Sequence, residues 1–105
     1  MPLEFDFEGY LVDPSQWTEQ VAEELARQEG VVLSEEHWVV IRFIREYYEQ
    51  QHIAPDARHV MKHLAEWKGA GKAGRNDLFV LFPYGYVKQA CKIAGMRKPR
   101  AWSTG

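Results

Sequence analysis

The chain has 105 residues, of which 46% are hydrophobic, 27% are charged and fourteen are aromatic (four Trp, five Tyr, five Phe), enough for one core and one domain. It is too short for an eight-fold βα barrel or a complete dinucleotide-binding sheet, and its single cysteine, Cys91, excludes an intrachain disulfide and a cysteine-rich zinc site. The net charge of −2 is unevenly spread: residues 1–56 hold 13 acids and 3 bases, residues 57–105 hold 2 acids and 10 bases. Two readings follow, a basic surface for an acidic partner or halves that pack together and neutralise each other.

Glu4-Phe5-Asp6-Phe7, then Glu8-Gly9, then Tyr10-Leu11-Val12 predicts a short N-terminal β-hairpin that must lie on something larger. The start shows neither a basic run nor a long apolar stretch, so no signal peptide is expected; no stretch is long and apolar enough to span a membrane. With one cysteine, a reducing cytoplasm is the expected setting.

Asp13 before Pro14 reads as a cap. After Trp17 and Thr18, the spacing of Val21, Ala22 and Leu25 predicts a helix ended by Gly30. Ser34 caps a second helix with Glu35 and Glu36 in its first turn. On it, Arg42, Arg45, Glu46 and Glu49 form a polar stripe, and His37, Val40, Ile41, Ile44, Tyr47 and Tyr48 make the rest broadly apolar, as in a central helix.

Pro55 turns the chain and Asp56 caps a third helix, with Ala57, Val60, Met61, Leu64 and Trp67 inward and Arg58, His59, Lys62, His63 and Glu66 outward. Residues 69–75 read as a flexible basic loop. Asn76 then caps a short apolar helix, Leu78 to Phe82. After Pro83 and Gly85 a last helix runs from about Tyr86 to Ala94, with Val87, Ala90, Cys91 and Ala94 on one stripe. Met96 to Gly105 has no helical pattern and reads as a flexible C-terminal arm. The expected fold is mainly α: a small single domain over residues 1–105 of about five helices, with the hairpin at one end and the arm, 96–105, at the other.

Three spacings could carry chemistry. Gly69 to Gly74 fits G-x-G-x-x-G, but a helix precedes it where a nucleotide site needs a strand, so a plain loop is the better reading. His59 and His63 lie four apart, yet Val60 stands where a metalloprotease helix needs Glu and no third ligand is evident; a solvated polar face is expected and no metal is assigned. The helix–turn–helix outline of the second and third helices offers Arg58 and Lys62 to DNA phosphates, against the repulsion of Glu46, Glu49 and Asp56; two simply packed helices are the favoured alternative.

Cys91 is the one residue capable of thiol chemistry. Its apolar stripe fits a buried, inert cysteine; Lys88 three before it and Lys92 one after fit a stabilised, nucleophilic thiolate, and the spacing leaves the two readings open.

Leu81-Phe82-Pro83, then Lys88-Gln89-Ala90-Cys91-Lys92-Ile93-Ala94-Gly95, then Lys98-Pro99, resembles the C-terminal signature of the DsrC/TusE family of sulfur-relay proteins. Gly9-Tyr10-Leu11, Trp17 and Leu33-Ser34-Glu35-Glu36-His37-Trp38 resemble the family's earlier landmarks, so the likeness covers nearly the whole chain. It implies a small cytoplasmic helical protein that passes sulfane sulfur as a cysteine persulfide, toward tRNA thiolation or a dissimilatory sulfite reductase, with donor and acceptor proteins as partners and no cofactor.

The family's principal carrier cysteine is the next-to-last residue of the arm; a second, eleven residues earlier, lies on the last helix in the DsrC branch. Cys91 matches the second, and Trp102 stands eleven residues beyond it. The usual Gly-Pro after Leu-Phe-Pro is Gly85-Tyr86 here. The resemblance thus implies a persulfide on Cys91, supported by Lys88 and Lys92, with Arg97, Lys98, Arg100 and Trp102 meeting partners. The Trp102 ring is expected to fold back on the helical body or to anchor a partner. The alternative is a regulatory or docking paralogue without sulfur transfer, binding either the family's partners or DNA through Arg58 and Lys62.

Overall fold

Each long helix begins where a polar side chain takes the amides that a first turn leaves free. In a computed structural model, which describes residues 3–69 and 75–97, Thr18 accepts from the Val21 amide and starts α1, Glu19–Gln28. Ser34 starts α2, Glu35–Gln51, in a reciprocal capping box with the His37 ring in place of the usual acid or amide. Asp56 accepts from the His59 amide and starts α3, Ala57–Lys68. Asp13 holds a single 3₁₀ turn, Pro14–Gln16, ahead of α1. The caps at Asp13, Ser34 and Asp56 lie where the sequence pattern puts them, and Thr18 is an additional one.

The expected mainly helical fold is borne out, with differences of detail. The N-terminal segment makes one antiparallel bridge, Phe5 to Leu11, around a turn held by Asp6, in place of a hairpin of two strands. The Asp6 carboxylate takes the Glu8 and Tyr10 amides, so a side chain closes the loop and too few residues remain to extend a ladder. Helix α4, Arg75–Leu81, begins at Arg75, so Asn76 lies inside it and is not its cap; its Phe79 and Val80 are exposed. Trp67 at the end of α3 is half-exposed, whereas Val60 and Leu64 are buried.

The last helix is wound as a π-helix over Tyr86–Cys91. This wider turn buries Tyr86, Val87, Gln89, Ala90 and Cys91 and leaves Lys88 outside. Met96, expected at the root of the arm, is buried, its amide bonded to the Cys91 carbonyl. Of the segment 69–75 expected to be a basic loop, Gly69 ends α3 and Arg75 begins α4; residues 70–74, and Lys98, Arg100 and Trp102 of the expected arm, lie outside the described residues.

α2 is the central element, packed on α3 and on the π-helix, and Val40, Ile41 and Ile44 are fully buried against Leu64, Phe82 and Ile93. Arg45, expected on the polar stripe, turns inward. Its guanidinium reaches the Pro14 and Ala94 carbonyls at 3.1 Å each and lies over the Trp17 ring at 4.7 Å. The Trp17 indole donates to the Ile93 carbonyl at 2.9 Å and packs so closely on Gly95 that a Cβ there would overlap it. Gly95 also has φ +79°, so two separate constraints exclude a side chain.

Arg45→Ala removes both donors to interior carbonyls and is expected to lower the unfolding free energy by about 2–4 kcal/mol in a urea titration. Arg42→Ala is the contrast: its pair with Glu19 is exposed on both sides, and the loss is expected to stay below about 1 kcal/mol.

Candidate functional site

The site is the inner face of the π-helix. In an α-helix, residues five apart are rotated by about 140°. The i→i+5 winding closes that gap, and Tyr86 and Cys91 come to one side. The Tyr86 hydroxyl donates to the carbonyl of Pro55, at the turn between α2 and α3, and lies close enough to the Cys91 thiol to act on it electrostatically. Burial pushes the thiol up to about 12, with the Tyr86 contact the one influence against it. Burial also pushes the Tyr86 phenol above its ordinary value, and the nearby thiol adds to this.

The two lysines expected to support a thiolate have different surroundings. Lys92 Nζ sits 3.2 Å from a Glu29 carboxylate oxygen and 5.1 Å from the centre of the Tyr10 ring. Lys88 is the exposed residue of the π-helix. Lys92 is paired with Glu29 and Lys88 is exposed, and burial is the largest influence on the thiol. The spacing places them beside Cys91 in sequence, but the winding puts them elsewhere.

A second cluster lies around Lys92. Gln89, fully buried, accepts from the Tyr84 amide at 3.1 Å and reaches the other Glu29 oxygen at 3.4 Å. Tyr10 donates to the Val87 carbonyl at 3.2 Å, and burial holds its phenol up at about 12. Glu29–Lys92 and Glu36–Lys68 join the acidic and basic halves, so part of the charge asymmetry is spent inside the molecule.

The remaining candidates separate. Arg58 and Lys62 are exposed on α3, with Arg58 3.4 Å from the Asp56 carboxylate. His63 stacks on Phe43 of α2 with centroids 4.4 Å apart, and His59 bonds to Asp56 at 2.9 Å while lying near Tyr47. The two imidazoles therefore help to seal the α2–α3 seam, where a purely solvated face was expected. Among the described residues no three His, Cys, Asp or Glu side chains gather as a metal cluster, and no helix is long and apolar enough to cross a membrane. Arg97 is exposed where the described arm begins. Sequence reasoning missed the role of Tyr86; its one signal was the replacement of proline in the Gly-Pro signature.

These features define a class, a small helical protein with one buried thiol on a π-helical turn near its C-terminal end. The family model described as DsrC like protein matches residues 1–101. Sulfurtransferase TusE of Pectobacterium atrosepticum is 45% identical over 94 residues, covering 90% of this chain and 86% of that protein. The TusE of Photorhabdus laumondii is 46% identical over 97 residues, covering 92% and 87%. The DsrC of Allochromatium vinosum, solved by NMR, superposes with a TM-score of 0.84 at 43% identity, covering 95% of this chain and 89% of that one. The oxidised gamma-subunit of the dissimilatory sulfite reductase from Archaeoglobus fulgidus also gives 0.84, at 36% identity, covering 95% and 91%. The chain belongs to the DsrC-like family, which contains the sulfur-relay proteins TusE and DsrC.

The raised thiol sets a pH dependence. Above pH 9 an unfolded cysteine releases its proton while the native one keeps it up to about 12, so the folded state binds more protons and loses stability as pH rises. Urea titrations from pH 9 to 11 are expected to show the wild type losing about 1.4 kcal/mol per pH unit relative to Cys91→Ala. Parallel curves for the two proteins would count against a buried neutral thiol.

Proposed function

We propose that the protein relays sulfane sulfur, holding it as a persulfide on Cys91 between a donor and an acceptor protein. The observation that carries this reading is identity of about 45% to sulfurtransferases TusE over nine-tenths of the chain, in a sequence whose one sulfur nucleophile is Cys91. The Cys91 sulfur attacks the outer sulfur of a donor persulfide and forms Cys91–S–SH. The donor's inner sulfur leaves as thiolate and takes up the proton that Cys91 gave, so the exchange balances without an added oxidant.

The burial of Cys91 makes the reaction depend on opening. The thiol is enclosed and protonated at neutral pH, so a donor must first part the π-helix from its neighbours. Docking of the donor is then part of the chemistry, and a free small thiol reagent meets a closed protein. Arg97, with Lys98, Arg100 and Trp102 beyond it, is the segment read as meeting partners. The cytoplasm suits a persulfide, because reducing surroundings keep the thiol free.

Intact-mass measurements after incubation with a protein persulfide donor test this. The wild type is expected to gain the mass of one sulfur atom and to lose it on reduction, and Cys91→Ser is expected to gain none. A wild type that stays unmodified beside a loaded control protein would leave a docking role without transfer.

A further inference from the structure

Seven of the ten large apolar side chains exposed among the described residues fall in two short segments. One is the N-terminal turn with its flanks, where Phe5 and Val12 are half-exposed and Phe7 is 99% exposed. The other is a ridge made by α4 and the turn after it: Phe79, Val80 and Tyr84 face out, while Leu78, Leu81 and Phe82 are buried. The two segments differ in charge. Residues 3–26 hold seven acids and no base, with Glu4 and Glu8 exposed in the turn; residues 78–97 hold Lys88, Lys92 and Arg97 and no acid. Lys92 is paired with Glu29, which leaves Lys88 and Arg97 as the exposed bases there. Both segments rest on the π-helix, the first through the bond from the Tyr10 hydroxyl to the Val87 carbonyl and the second through the bond from the Tyr84 amide to the Gln89 side chain.

We propose that these segments bind a second copy of the chain, the acidic apolar turn of each copy seated on the basic apolar ridge of the other. A two-fold interface needs a surface that complements itself, and here a patch and its complement lie on one chain, carried by one helix. Pairing turn with turn would set acids against acids, and pairing ridge with ridge would set Lys88 and Arg97 against their own copies; only the crossed pairing joins opposite charges. The apolar side chains supply the burial, and the charges choose the arrangement. Because each copy gives both halves of the contact, the assembly closes at two. This goes beyond sulfur relay and does not depend on it.

Sedimentation velocity of the full chain over a concentration series, in reducing buffer at low ionic strength, tests this. The wild type is expected to form a dimer. Phe7→Asp and Val80→Asp, both at exposed positions, are each expected to weaken it at least about tenfold, and Val32→Asp, at an exposed position outside both segments, to leave it unchanged. Mixing is the decisive measurement. A Phe7→Asp copy keeps its ridge and a Val80→Asp copy keeps its turn, so the two together can make one intact crossed contact. The mixture is expected to associate more tightly than either variant alone and less tightly than the wild type. A mixture no better than its parts, or a dimer indifferent to either substitution, overturns the crossed pairing. Assemblies that keep growing with concentration overturn the closed pair. A wild type that stays monomeric up to about 1 mM overturns the proposal and leaves the ridge to a different protein. Far-UV circular dichroism of each variant confirms that the helices are retained.

Discussion

The last third of the chain depends on donors from elsewhere for its carbonyl groups. Its helices are short, and one is π-wound, so several carbonyls fall outside a regular ladder in the interior. An unpaired carbonyl there costs on the order of 1–3 kcal/mol. Side chains of the first half supply the partners: His37 to Leu81, Tyr10 to Val87, Trp17 to Ile93 and Arg45 to Ala94. Tyr86 returns the relation by donating to Pro55. These contacts bridge 31 to 77 residues of sequence and hold the π-helix against α2 and the N-terminal turn. His37 shows how tightly the assignments interlock. Its Nδ1 accepts the Ser34 amide at the α2 cap, which leaves the proton on Nε2 for Leu81, so one tautomer serves both ends.

That dependence explains why the thiol is closed. The π-helix is fixed on its inner face by packing and at its carbonyls by first-half donors, and Cys91 stands where those constraints meet. Opening it means releasing several of them together. A charge is costly in that enclosure, and Lys92, the nearest ammonium in sequence, is held by Glu29. The acidic first half and the basic second half are thus partly joined through pairs that fix the fold, and the remaining exposed bases, among them Lys88 and Arg97, stay free to face outward.

Much of this was legible in the sequence because local rules set it. Asp13, Ser34 and Asp56 precede their helical turns and cap them by short-range bonds that need no tertiary context. The stripe of Val87, Ala90, Cys91 and Ala94 is buried as its spacing requires. Illegible were features set by contacts far along the chain. Arg45 reads as one of four polar residues on an exposed stripe, and only the nearness of Pro14, Trp17 and Ala94 draws it inward. His59 and His63 read as solvated because Phe43 and Tyr47, which they meet, belong to another helix. The family likeness was plain from Lys88 to Gly95, but it could not show whether the thiol lies open or closed.

The π winding was the hardest feature to foresee and has the largest consequence. Under α-helical spacing Gln89 lies on the opposite side of the helix from the Cys91 stripe, yet it is fully buried between the Tyr84 amide and Glu29. The π-helix is enclosed on both sides, with Gln89 buried on one and Tyr86 and Cys91 on the other. The same turn therefore ties the anchored face, with Gln89, Glu29 and Lys92, to the face that holds the sulfur. A π turn has poorer hydrogen-bond geometry than an α turn and persists only where tertiary contacts hold it. Here those contacts are the Tyr10 donor to Val87 within it and the Trp17 and Arg45 donors to Ile93 and Ala94 just after it.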